Sequence, residues 1–190
     1  MSRAIELANQ AWRVRASAIG RKLTQSEEHK SARQVLTLLE QAAQTGEDDS
    51  DHYGRAYALS KLAQIRGYIE GNAIAIELLK EAIDCAKKAS SALLEGEALR
   101  RWADYLRHDG KLSEAEPLYW EALHCLQADE ATTALSIGNA YRPIAILYEE
   151  LGDKTKATTY WRQSRTYYQK ADIQAGIDEC DAHLKKLQAS

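Results

Sequence analysis

Gly110-Lys111-Leu112-Ser113-Glu114-Ala115-Glu116-Pro117-Leu118-Tyr119 decides how this chain of 190 residues folds, because its frame recurs upstream and downstream. Ala115, Tyr119 and Ala122 echo Ala75, Leu79 and Ala82, and are echoed in turn by Ala157, Trp161 and Ser164, at steps of 40 and 42 residues. A small residue, a large apolar one four later and a small one three after that mark one face of a helix. The return of that face at a nearly fixed period means that helical units stack on one another. Val35, Leu39 and Ala42 hold the same frame one step earlier.

The punctuation agrees. Two prolines and ten glycines are present, and the glycines fall mainly where helical patterns end. The periodicity predicts helices over 3–22, 26–45, 52–69, 73–89, 92–108, 113–127, 131–151, 154–170 and 173–188. Thr24 with Glu27 and Ser113 with Glu116 read as capping boxes, and Asn72 and Asp153 as caps. Gly46, Gly110 and Gly152 read as left-handed C-terminal caps. Glu47-Asp48-Asp49-Ser50-Asp51 reads as a solvated turn that sets negative charge at the start of the third helix.

Composition bounds the function. Hydrophobic residues make up 45% of the chain, enough for a sizeable core. Twenty-five basic and 28 acidic residues leave a net charge of −3, so no global field recruits nucleic acid or an anionic membrane. Cys85, Cys125 and Cys180 are odd in number and far apart, which argues against disulfides and a zinc knuckle and for a reducing, cytoplasmic compartment. No apolar run approaches a membrane span. Arg3, Arg13, Arg15, Arg21 and Lys22 against Glu6 alone faintly suggest a transit peptide. Ile5, Ala8, Trp12, Ala16, Ile19 and Leu23 form one stripe, which favours a docked first helix.

The first helix of each unit carries a second frame: Leu59-x-x-Leu62-Ala63, Leu99-x-x-Trp102-Ala103-x-x-Leu106 and Tyr141-x-x-Ile144-Ala145-x-x-Tyr148. This frame resembles the tetratricopeptide (TPR) repeat: a large residue, then large-small, then an aromatic in helix A, glycine at the turn, and small-x-x-x-aromatic-x-x-small in helix B. The steps of 40 and 42 and the Gly-Lys-x-x-Glu-Ala-Glu-Pro-Leu-Tyr run resemble the long variety found in kinesin light chains. Pro117 then falls in the first turn of helix B, where a missing amide is least costly. The resemblance implies an all-α, right-handed superhelical array of antiparallel helix pairs, forming a single domain over 1–190. Within it 1–50 is a degenerate N-terminal pair, 51–90, 91–129 and 130–171 are repeats, and 172–190 is a capping helix. In that last helix Ile173, Ile177, Cys180, Leu184 and Leu187 form an apolar seam, while Gln174, Asp178, Asp181, Lys185 and Lys186 face water.

Candidate chemistry is sparse. Glu121 and His124 have the Glu-x-x-His spacing of di-iron bundles, but such sites need a second copy and further carboxylates. His29, His52, His108 and His183 lie in separate units, and no phosphate loop or nucleophile elbow occurs. No catalytic residue, metal or cofactor is therefore expected. Arg13, Arg15, Arg21 and Lys22 beside Trp12 also read as an ordinary helix surface, so nucleic acid is not the expected partner. Trp120 stands where the other repeats have Lys80 and Arg162, and is expected to point outward, either as a contact or covered by neighbouring helices.

In the TPR family the concave groove is lined mostly by helix A. The resemblance maps that surface onto Tyr57, Lys61 and Gln64, then onto Glu97, Arg100, Arg101, Asp104 and His108, and then onto Asn139, Arg142 and Ile146. Lys61, Arg100, Arg101 and Arg142 suit a carboxylate-bearing peptide. The family's backbone-holding asparagine is replaced by Lys61, Arg101 and Pro143. The expected work is non-catalytic binding of a protein or peptide segment, with no nucleic acid or membrane partner. The alternatives are an architectural scaffold that uses its convex face, or a peptide- or ligand-sensing regulator.

Overall fold

The computed structural model describes residues 1–19 and 25–189, and among them the chain is all helix and turn. The helices are α1 (Arg3–Ala18), α2 (Gln25–Asp48), α3 (His52–Glu70), α4 (Asn72–Lys88), α5 (Ala92–His108), α6 (Leu112–Ala128), α7 (Ala134–Glu150), α8 (Lys154–Lys170) and α9 (Gln174–Ala189). Each expected helix is present. Ends differ by up to four residues, most at α1, which stops at Ala18, and at α7, where Thr133 starts the helix by accepting from the amide of Ser136.

The repeat frame is the packing frame. Ala75, Ala82, Ala115, Ala122, Ala157 and Ser164 are fully buried, and so are Ala63, Ala103 and Ala145 on the partner helices. Leu39, Leu79, Tyr119 and Trp161 fill the large positions between them. Close helix crossings tolerate only small side chains at the contact. Ala115→Leu is therefore expected to cost about 1–3 kcal/mol by overpacking, read from chemical denaturation, and an unchanged midpoint would remove this account of the frame.

Turns repeat as well. Gly110 and Gly152 close α5 and α7 with φ of +74° and +76°. The other class of turn holds Ser50, Ser90 and Asp172 at φ of 55°, 52° and 55°, a left-handed conformation that costs a non-glycine residue about 1 kcal/mol. Each sits just beyond a helix B, so a polar side chain recurs there for a backbone reason.

Several local expectations fail. Gly46 lies inside α2 and is no cap; a Cβ there would meet the backbone of Arg55 at 2.8 Å, so its role is close approach of α2 to α3. Helix α6 begins at Leu112 with Lys111 at the cap position, and Ser113 does not cap. Glu116, free of a capping box, accepts from the hydroxyl of Tyr148. Pro117 is the sixth residue of α6, beyond the first turn, and the carbonyl it leaves unmatched belongs to exposed Ser113. Gly71, at φ +103°, takes the cap position that Asn72 was expected to fill. Thr24 lies outside the described residues. Asp153 does cap α8, accepting from the amide of Lys156 at 3.0 Å.

The chain divides within α5 into two compact units, Met1–Ala98 and Leu99–Ser190. In the first, α1 packs on α2 and α3, α2 on α3, and α3 on α4. Its core joins Ala8 and Ala11 to Val35, Leu39, Ala42, Ala58 and Leu62. Helix α1 docks, but through Ala4, Ala8 and Ala11; Ala16 and Ile19 of the expected stripe are exposed. Leu23 lies outside the described residues. In the second unit α6 packs on α7, α7 on α8 and α8 on α9. Helix α9 buries Cys180 and half-buries Ile177, Leu184 and Leu187, and Ile173 just before it is half-buried too.

Candidate partner-binding surface

In the N-terminal unit Tyr57, Lys61 and Gln64 fall along the side of α3 that faces α1. The Tyr57 hydroxyl donates to Asn9 Oδ1 at 2.7 Å, and burial with the nearby Glu97 carboxylate raises its pKa. Lys61 Nζ stands 4.1 Å from the centroid of Trp12 and 4.4 Å from that of Tyr57. Arg15 covers the same indole at 4.7 Å and donates to Gln64 Oε1 at 3.4 Å. Two cations therefore share the indole of Trp12, attracted by its ring quadrupole.

In the C-terminal unit the residues assembled by sequence are tied into ion pairs. Arg100 donates to Asp104 Oδ2 at 2.9 Å across one helical turn. The other oxygen of Asp104 accepts from the Tyr119 hydroxyl at 2.7 Å. Burial and that carboxylate push the Tyr119 pKa far up, so it stays a donor. Arg107 donates to the Tyr119 oxygen at 3.3 Å and to Glu150 at 2.5 Å. His108 approaches the Asp104 carbonyl at 2.6 Å through Nδ1.

On α7, Asn139 Oδ1 accepts from the buried Tyr168 hydroxyl at 2.9 Å. Arg142 grips Glu179 of α9 with two parallel bonds of 2.7 and 2.6 Å. Its pKa rises through those bonds, and the charge of Asp104 on α5 adds to the effect. Arg100, Asp104 and Arg142 thus belong to one electrostatic neighbourhood in this unit, together with Glu179. Arg101 is half-buried on the same helix as Arg100.

Glu179 is the residue that sequence reasoning missed. It stands 40 residues after Asn139, one repeat step on, and that spacing was the available signal. Trp120 is half-buried with its ring edge-on to Tyr160 at 5.1 Å, so a neighbouring helix covers part of it. Tyr160 also stacks on Tyr148 at 5.4 Å and on Tyr141 at 6.3 Å, and Tyr141 stacks on Tyr167 at 5.7 Å. At the end of α7 Glu149 accepts from the indole of Trp161 and lies 2.7 Å from His183 Nδ1, while the imidazole stacks on that indole at 4.1 Å.

Helix pairs in which small residues set the crossings, with glycine closing helix A, describe a known architecture, and solved structures share it. One described as a Podosopora anserina kinesin light chain with nearly identical TPR-like repeats aligns over all of this chain and 98% of its own, with a TM-score of 0.59 at 15% identity. The fold is that of the TPR-like repeat proteins. A point variant of that protein aligns over 100% and 97% with a TM-score of 0.60 at 15% identity. BtubC (BKLC) from P. vanneervenii aligns over 100% and 92% with a TM-score of 0.55 at 13% identity. No family model and no curated protein matches the sequence. Among the described residues no group of side chains is placed to hold a metal ion, and no helix is long and apolar enough to cross a membrane.

Proposed function

We propose that this TPR-like chain is a non-catalytic interaction module that binds an acidic segment of a partner protein along its helix A surface. TPR-like repeats generally mediate protein–protein interaction, and a rigid stack of helices presents a surface with little ordering cost on binding. The observation that carries the finer reading is the neighbourhood of Arg100, Arg142 and Asn139. Each is half-exposed, and the cations are held in place by Asp104 and Glu179. Pre-oriented guanidinium groups favour carboxylate ligands, because their forks lose less freedom when a carboxylate arrives. The internal pairs set the terms: an incoming carboxylate competes with Glu179 for Arg142, so binding is an exchange of partners and its affinity is modest. Arg101 completes the proposed surface of the second unit, and Tyr57, Lys61 and Gln64 are proposed by themselves as partner-binding residues of the first. The division into repeats at 51–90, 91–129 and 130–171 with a closing helix at 172–190, and a cytoplasmic location without nucleic acid or membrane partners, belong to the same proposal.

The test is partner capture by wild-type protein and by the Arg100→Glu/Arg101→Glu/Arg142→Glu variant at two salt concentrations. The variant is expected to lose the partners while keeping its helical circular dichroism, and wild-type capture should weaken with salt over a screening length of roughly 8–10 Å. Retention of the same partners with the same salt response would reject this surface.

A further inference from the structure

The N-terminal unit holds an apolar cleft of about 460 Å³ where the end of α1, the first half of α2 and the end of α3 converge. Val35 and Ile65 form part of its lining, with Ile19, Tyr68 and Ile69 around it and Arg15 beside them. Ile19, Tyr68 and Ile69 are 70%, 92% and 53% exposed, so three of the large hydrophobic side chains this chain exposes gather at one place. Single exposed apolar residues need no explanation, whereas several at one cleft mark a contact surface. Tyr68 lines the cleft and is 92% exposed, so a small ligand of cleft size would leave much of its ring in water, whereas a longer occupant that runs past the cleft covers it.

Charge selects among such occupants. Residues 1–35 carry seven basic and three acidic side chains, leaving 18 basic and 25 acidic in the remainder, so this end is positive while the whole chain is negative. Arg15 donates to Gln64 and covers the indole of Trp12, both neutral groups. Two-fold self-association through the cleft would set this positive end of one copy against that of the other, a repulsive arrangement.

We infer that the cleft among α1, α2 and α3 docks an amphipathic helix of a partner protein, whose apolar stripe enters between Ile19, Ile65 and Tyr68 and whose flanking carboxylate meets Arg15. Helix-in-groove recognition uses apolar anchors at i, i+3 or i+4, and i+7. The inference does not rest on the Arg100 and Arg142 surface, and of the residues proposed to bind a partner the cleft includes Gln64 alone.

The probes are three fluorescein-labelled peptides of about 16 residues, roughly 24 Å of helix: a leucine stripe flanked by glutamate, the same stripe flanked by lysine, and a scramble of the first. Fluorescence anisotropy is expected to show the glutamate peptide binding about tenfold or more tightly than the scramble. Tyr68→Ser/Ile69→Ser, at exposed positions, should remove that preference. Arg15→Glu should weaken the glutamate peptide and strengthen the lysine peptide, a reversal that a simple loss of folding cannot produce. The Arg100→Glu/Arg101→Glu/Arg142→Glu variant should keep the wild-type preference for the glutamate peptide over its equally charged scramble. Equal binding of the scramble, indifference to Tyr68→Ser/Ile69→Ser, or loss of the preference over the scramble in the triple-arginine variant would overturn the inference. Concentration-dependent dimerisation abolished by Tyr68→Ser/Ile69→Ser would overturn it in favour of a second copy. Saturable octanoate binding lost in that variant, with no peptide binding, would overturn it in favour of a small apolar ligand.

Discussion

Alanine at position 161 is expected to destabilise the chain by about 3–5 kcal/mol, the range for emptying a buried aromatic site. Trp161 is wholly buried at the helix B position where the other repeats carry Leu79 and Tyr119. Its loss removes the ring on which His183 stacks and takes from Glu149 the indole donor at its carboxylate. A thermal midpoint lower by on the order of 10 °C follows for a chain of this size. Trp161→Phe restores much of the volume and leaves only the donor missing, so it should cost about 1 kcal/mol. Thermal circular dichroism separates the two variants, and a shift of under about 2 °C for the alanine variant would show that the site collapses without penalty.

Removing residues 173–190 should have a still larger effect. Helix α9 places Gly176 against the Tyr168 ring, where even a Cβ would lie 2.6 Å from it, and buries Cys180 on the same side. It also supplies Glu179 to Arg142, Asp181 to Arg165 at 2.5 Å, and His183 to Glu149. The truncated chain would expose Trp161 and Tyr168 and leave Arg142 and Arg165 without those acceptors. Repeat arrays need a polar-faced terminal element to stay soluble. The expected result is aggregation on expression, or a monomer with a much lower midpoint and increased binding of a hydrophobic dye. A soluble truncation with the wild-type midpoint would show that α9 is dispensable.

The helices and their packing faces were legible because the frame repeats. Ala75, Ala115 and Ala157 each supported the others, so an error at one copy could not move the reading. Where no second copy existed, local chemistry misled. Gly46 looked like a helix end because glycine usually marks one, yet the contact that demands it is Arg55, invisible without the fold. Ser113 and Glu116 had the spacing of a capping box, but Tyr148 supplied Glu116 with a different donor. The stripe expected on α1 gave way to Ala4, Ala8 and Ala11, alanines that let the helix approach α2 and α3. The candidate surface was legible as residue types and positions, but not as a charge state. Lys61, Arg100 and Arg142 were readable as cations, and Asp104 stands one helical turn from Arg100, but the holds of Trp12 on Lys61 and of Glu179 on Arg142 form between separate helices, where spacing gives the row and not the contact.

The tyrosines of α7 and α8 have an optical consequence. Tyr141, Tyr148, Tyr160 and Tyr167 lie in a nearly continuous stack, with interplanar angles of 12° and 24°, and Trp120 meets it edge-on. Rings fixed this close couple their electronic transitions and pass excitation to the nearest indole. The C-terminal unit therefore carries its own spectroscopic signature, a strong near-ultraviolet dichroism with tyrosine emission transferred to tryptophan. In the N-terminal unit Trp12 instead lies against two cations, an environment that sets its indole apart from the stack. Melting followed in the tyrosine band is weighted, without any label, toward the C-terminal unit, which holds seven of the ten tyrosines.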